Sequence, residues 1–282
     1  NANFNKISFL TSFSLTGTSG MSAAKSNSNI EFEEDNFYKK NGLVKLNYKA
    51  TSNFNVETFF NYDEFDYDFD AGAYFDSDVN KGSNRQLRIG LKPTFNYNNY
   101  TLYLLASINE VKRTLDQFNS FANTLDVYSF FGRSINLDVV NNYKFSSQFQ
   151  IITGVNYQEH SNQSTTPFGS IDKNIANFST LDPYLSAVFI SEFGLSVNLG
   201  GRLNIHNVYG NHFVYDANIA YNMFTHENTK IKLLSSYSTA FITPSLYQLY
   251  DGFSGNINLN PETNETFEVG FDINYNNWLQ FD

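Results

Sequence analysis

The sequence predicts an all-β protein: a transmembrane antiparallel up-and-down β-barrel, of which it supplies about twelve to thirteen strands. Three observations carry this. Apolar and polar residues alternate with period two over segments of about nine residues or more, the length of a membrane-crossing strand rather than the about 5–6 residues of a soluble one. Very short polar turns alternate with long loops. Aromatic residues recur beside the short turns.

The alternation is clearest where Leu195, Val197, Leu199, Leu203 and Ile205 are separated by Ser196, Asn198, Gly200, Arg202, Asn204 and His206. It recurs at Leu87, Ile89 and Leu91, at Ile135, Leu137 and Val139, at Tyr215 to Met223 and at Phe267 to Tyr275. Successive side chains of a strand point to opposite faces, so each segment has one apolar and one polar face. Glu57, Arg88, Asp138, Arg202, Asp216, Glu268 and Asp272 all fall on the polar side. Such charges are costly against lipid and suit a lumen.

Short turns are expected near Thr51–Asn53, Asn96–Asn99, Lys144–Ser147, Ser191–Gly194, Thr225–Thr229 and Asn276–Asn277, and long loops over 16–36, 62–84, 112–130, 159–181 and 241–264. Short turns on one side and long loops on the other are the pattern of outer-membrane barrels. Tyr48 and Phe54, Phe95, Tyr97 and Tyr100, and Tyr143, Phe145 and Phe149 cluster at the short turns, as an interfacial girdle would.

Composition agrees. Of 282 residues 17% are aromatic and only 16% charged, with no cysteine and a net charge of −10. Mean hydropathy is −0.37, and no stretch approaches the about 18 apolar residues of a membrane helix. A chain without such stretches crosses lipid only as a closed barrel, because every backbone group must be satisfied internally. The acidic balance disfavours nucleic acid, and the lack of cysteine excludes a disulfide framework. The chain starts at Asn1 without a signal-peptide pattern and stops at Asp282, and is read as part of a longer protein. A soluble β-sandwich also alternates, and detergent-dependent extraction separates it from a barrel.

Phe241-Ile-Thr-Pro-Ser-Leu-Tyr-Gln-Leu-Tyr250, then Leu259-Asn-Pro-Glu262 and Glu265-Thr-Phe-Glu-Val-Gly270, resemble the segment of TonB-dependent receptors in which an Ala-Pro stretch and a Leu-x-Pro-Glu motif precede a barrel strand. Thr243-Pro244 stands where Ala-Pro is common. Gly20-Met-Ser-Ala-Ala24, Glu33-Glu34-Asp35, Phe37 and Asn41-Gly42 look like the loop and strand entry of cobalamin receptors in that family. The resemblance implies a barrel of about 22 strands with a plugged lumen, residues 1–282 being barrel domain only, with the plug before Asn1 and the closing strands after Asp282. It implies active transport of a large scarce nutrient across the bacterial outer membrane, driven by the TonB energy-coupling complex through the plug. A corrinoid is the first expectation, with a ferric siderophore or haem as alternatives. Outer-membrane lipids are expected partners, and a surface lipoprotein is a candidate further one. A passive porin or structural barrel is the rival, and an upstream plug would exclude it.

The most distinctive chemical feature is Tyr62-Asp-Glu-Phe-Asp-Tyr-Asp-Phe-Asp70, followed by Asp76 and Asp78. Carboxylates can converge oxygens on a hard cation, and calcium takes about six to eight of them. Asp63, Asp66, Asp68, Asp70 and Asp76 are the candidate ligands, and the resemblance adds Asp35 and calcium itself. A solvated acidic loop is the competing reading. Tyr247, Tyr250 and Phe253 are candidates to stack on a planar ligand, against loop self-packing. The four histidines form no recognised ligand spacing. No nucleophile elbow, P-loop or triad is visible, so no enzyme is expected.

Overall fold

The computed structural model describes residues 2–26, 31–226, 229–275 and 279–281. Among these residues fifteen strands form one antiparallel sheet: β1 (Ala2–Phe4), β2 (Ile7–Thr18), β3 (Phe37–Lys49), β4 (Phe54–Asp68), β5 (Lys81–Tyr97), β6 (Tyr100–Asn119), β7 (Thr124–Lys144), β8 (Phe149–Thr166), β9 (Gly169–Ile171), β10 (Asn177–Ile190), β11 (Leu195–His206), β12 (Gly210–His226), β13 (Thr229–Ile242), β14 (Glu262–Tyr275) and β15 (Leu279–Phe281). Each pairs with its neighbours in sequence, except that short β9 sits beside β8 and leaves β10 to continue the sheet. Twelve of the strands run from 12 to 21 residues. The one helix among the described residues is α1 (Leu246–Tyr250), and no helix is long and apolar enough to cross a membrane.

Local chemistry sets the short-turn end. Tyr97 and Tyr100 pair across Asn98-Asn99, with Asn98 at φ 48. Asparagine tolerates this left-handed conformation, which a two-residue hairpin requires. Thr51 Oγ1 accepts from the Asn53 and Phe54 amides, and Ser146 Oγ from those of Gln148 and Phe149. Gly194 closes the β10–β11 turn at φ +96, where an added Cβ would stand 2.5 Å from the Asn222 carbonyl oxygen. Gly194→Ala is therefore expected to destabilise the fold by about 1–3 kcal/mol, read as a lower urea midpoint in detergent micelles. An unchanged midpoint would mean that this turn relaxes freely. The expected turns at 225–229 and 276–277 fall wholly or partly outside the described residues.

The long-loop end differs from expectation. β6 and β7 stay paired up to Asn119 and Thr124, so 112–130 is mostly ladder with a four-residue tip. β4 likewise continues to Asp68 and β5 starts at Lys81. Paired strands satisfy their backbone groups in water as well as in lipid, so the ladder does not stop where the apolar face ends.

The two faces divide sharply. Val44, Leu46, Phe60, Ile89, Leu91, Leu137, Val139, Leu199, Ile219 and Leu233 lie exposed on the outer face. Few apolar side chains are buried among the described residues, and two of those are Leu246 and Leu249 of α1. Residues that a soluble domain would bury are thus turned outward. The opposite face is laced by polar contacts. Arg88 Nε donates to Asn61 Oδ1 at 2.9 Å, Asn156 Nδ2 to Asn136 Oδ1 at 2.9 Å, the Tyr184 hydroxyl to Asp138 Oδ1 at 3.1 Å and Asn198 Nδ2 to Asp216 Oδ2 at 3.3 Å. Rings on this face lie over glycines of a neighbouring strand: Phe59 over Gly90, Tyr67 over Gly82, Tyr184 over Gly154.

Candidate functional site at the long-loop end

Segments 19–26 and 31–36 pack with loop 69–80 above strands β2 to β5. The Lys25 amide donates to the Ala73 carbonyl at 2.8 Å. Asp70 is the knot. Its Oδ2 accepts from the Ala24 amide at 2.5 Å and Ser22 Oγ at 3.0 Å, and its Oδ1 from the Ser77 amide at 3.3 Å. Asp35 Oδ2 accepts from the Ala23 amide at 2.8 Å. Gly20, at φ +70, lets the backbone pass so close to Asp35 that a Cβ there would strike its carbonyl. Beneath, fully buried Asn80 accepts on Oδ1 from the Phe118 amide at 2.7 Å, anchoring the second loop to β6.

Acidic oxygens of Glu33, Asp70 and Asp76 come within 4.8 Å of one another. Glu33 Oε1, Asp35 Oδ1 and Asp76 Oδ1 are buried and have no hydrogen-bond partner among the described residues. Buried acceptors are nearly always satisfied by protein, water or an ion. The electrostatics record the crowding. The facing Asp76 carboxyl, then burial, hold Glu33 above the ordinary range. Burial, then the Asp70 charge, raise Asp35. Burial would raise Asp70 as well, but the donors from Ala24, Ser22 and Ser77 outweigh it and hold Asp70 below its ordinary value. An oxygen-only donor set with unsatisfied carboxylates is the chemistry that holds a hard divalent cation.

Of the acidic residues singled out in the sequence, Asp35, Asp70 and Asp76 are brought together. Asp63 lies on β4 with its side chain toward the polar face, where it meets Arg88 at 3.2 Å and accepts from Asn41. Asp66 and Asp68 also lie on β4, with parity opposite to Asp63, and Asp68 accepts from Asn36 Nδ2 at 2.9 Å. Glu33, Ser22 and the Ala24 amide complete the knot and were not among the candidates. The acidic run Glu33-Glu34-Asp35 was the available signal for Glu33.

The aromatic candidates have three different surroundings. Ser245 caps α1, accepting from the Gln248 amide while Gln248 Oε1 accepts from the Ser245 amide. Tyr247 lines a cavity of about 480 Å³ with Val111, Arg113, Phe130 and Asn162. Tyr250 ends α1 on the side of Tyr209, whose phenol is raised by burial and then by Tyr250. Phe253 is 86% exposed and its ring centroid is 6.2 Å from that of Phe168. Below the loop His160, Phe178, His206 and Tyr209 form a row of rings at 4.8, 4.9 and 5.0 Å. The Tyr209 hydroxyl donates to the Leu259 carbonyl at 3.3 Å, which seats loop 243–261 on this row.

Comparison with known proteins places this geometry. Residues 17–282 match the family model described as TonB dependent receptor-like, β-barrel. A vitamin B12 transporter, BtuB, of Vibrio cholerae is 27% identical over 137 residues, covering 48% of this chain and 21% of the transporter. Among solved structures, a ferric enterobactin receptor (PfeA) variant from Pseudomonas aeruginosa superposes with TM-score 0.72 at 11% identity, over 95% of this chain and 46% of that one. The copper transporter OprC gives 0.71 at 11% identity, over 96% and 47%. The siderophore receptor PirA from Acinetobacter baumannii gives 0.68 at 13% identity, over 95% and 45%. The chain thus spans about half the length of the solved relatives, and at these identities the likeness is one of fold.

Proposed function

Because the chain belongs to the TonB-dependent receptor-like β-barrel family, we propose that it is barrel wall and ligand-capturing loops of an outer-membrane active transporter whose substrate is a corrinoid. Relatives and neighbours are receptors and transporters rather than enzymes, and the residues here bind and orient without covalent chemistry. The wall holds the loops at the cell surface, and release into the lumen is driven through the TonB complex, as the family name implies.

The observation that carries the reading is the unsatisfied carboxylate knot of Glu33, Asp35 and Asp76 beside Asp70. Calcium there would supply positive charge to three oxygens that have no donor among the described residues, and would lock the two front loops into one surface. The named activity of the Vibrio cholerae relative, vitamin B12 transport, supports the corrinoid. Tyr247, Tyr250 and Phe253 belong to the opposite loop and would meet the ligand from that side.

The test is equilibrium binding of cyanocobalamin to the full-length protein in detergent, with calcium and then with a chelator. Tight binding lost on chelation is the expected result. Binding that ignores the chelator would remove calcium from the account. Absence of binding would remove the corrinoid and turn the assignment to a ferric siderophore or haem.

The pH dependence has a definite sign. Glu33 and Asp35 are held above the ordinary carboxylate range, so protons compete with the cation at a higher pH than for free carboxylates. Calcium affinity is expected to be full near neutrality and to fall as pH is lowered through that raised range. Titrations at pH 7 and pH 5 check this, and equal affinities would contradict it.

A further inference from the structure

On the outer face of β4 to β7 the apolar run ends, toward the long loops, at a charged residue. Beyond Tyr62 comes Glu64, beyond Leu87 comes Arg85, beyond Ile108 comes Glu110 and beyond Ile135 comes Arg133. These four and Lys40 face the same side, because the cross-strand partners meet. Lys40 lies 3.8 Å and Arg85 3.3 Å from Glu64, and Arg133 lies 3.4 Å from Glu110. Lys112, two residues beyond Glu110, is directly opposite Arg85 in the ladder. Directly opposed side chains stand about 5 Å apart at Cβ, and like charges there repel. Lys112 is exposed and has no ion pair at 4 Å or less among the described residues. Lys40, Arg85, Lys112 and Arg133 outnumber Glu64 and Glu110, and still outnumber them when Glu159 on β8 is counted, in a chain whose net charge is −10.

We propose that the Arg85–Lys112 pair, with Arg133 beside it, is a docking site for the phosphorylated headgroup of a membrane lipid, whose acyl chains lie along Leu87, Ile89, Ile108 and Ile135. The inference rests on the membrane-barrel reading. Arg85 keeps Glu64 on its β4 side, while on its β6 side it faces Lys112 directly in the ladder, and that side forms a cradle for a phosphate, which a guanidinium binds in bidentate fashion. The place decides what carries the phosphate. The cations stand at the rim of the apolar band, where a lipid headgroup meets its chains, and the more acidic rows at Asp66, Asp68 and Asp116 lie farther from the band. A soluble anion would gain nothing from the apolar stripe below, whereas a lipid uses both.

The experiment is native mass spectrometry of the full-length protein in detergent with bis-phosphorylated lipid A, with the same lipid dephosphorylated, and with inorganic phosphate. The wild type should retain the phosphorylated lipid at least about tenfold better than the dephosphorylated one. R85Q together with K112Q should abolish that preference, while K81Q, farther up the same strand, should not. Heat-modifiable gel mobility verifies that each variant still folds. Equal retention of both lipids, an unchanged preference in the double variant, or displacement by millimolar phosphate would overturn the lipid site. A wild-type chain soluble without detergent would overturn the barrel reading beneath it, and so is distinguishable.

Discussion

Asp70→Ala is expected to weaken cyanocobalamin binding at saturating calcium by at least about tenfold, and to make the remaining binding insensitive to chelator. Asp70 accepts from Ala24, Ser22 and Ser77 at once, and so is the side chain that ties segment 19–26 to loop 69–80. A hydrogen bond to a charged group contributes about 1.5–3 kcal/mol, and about 1.4 kcal/mol is tenfold in affinity. Losing the carboxylate also leaves Glu33 and Asp76 without one member of the cluster. Asp63→Ala is the internal comparison. Its partner is Arg88 on the polar wall, so it should leave calcium dependence intact. Equal effects of the two substitutions would mean that the acidic residues act only as general negative charge.

Leu199→Arg has the second large expected effect. Leu199 lies near the middle of β11, paired with Ala187 and Ala217, and is 51% exposed on the outer face. Arginine at the bilayer midplane of a barrel costs about 2–4 kcal/mol, so folding yield into lipid vesicles should fall severalfold or more. Asn198→Arg next to it places the same charge on the polar face, within reach of Asp216, and should fold nearly as well as wild type. Matched losses would mean that β11 has no lipid side.

The strands were legible because a period-two pattern survives in a sheet with lipid on one side and polar groups on the other. Leu195–His206 and Phe267–Tyr275 show it residue by residue; β11 has the first pair of bounds, while β14 ends at Tyr275 but starts earlier, at Glu262. Strand ends were less legible. Outside the apolar band nothing requires alternation, so the ladder through Val127, Tyr128, Phe130 and Phe131 read as loop. Helix α1 is short, yet its Ser245–Gln248 capping box stood in the sequence. The acidic site was visible only as composition. Parity separates Asp63 from Asp66 and Asp68 on β4, but which loop carboxylates meet depends on how 19–26 and 31–36 meet 69–80, a contact between positions about forty to fifty residues apart that no local pattern encodes. The Arg85–Lys112 opposition needed the β5–β6 register and could not be read before it.

The most direct test of the account is single-cysteine accessibility along β11, which the absence of cysteine from the chain makes clean. Cysteines placed one at a time at 196–203 in the full-length protein, reconstituted in vesicles, would be challenged with a lipid-soluble and a water-soluble maleimide. Cysteines at 197, 199, 201 and 203 are expected to react with the lipid-soluble reagent alone, while those at 196, 198, 200 and 202 do not. Reactivity without that two-residue period, or lipid labelling of the even positions, would contradict it.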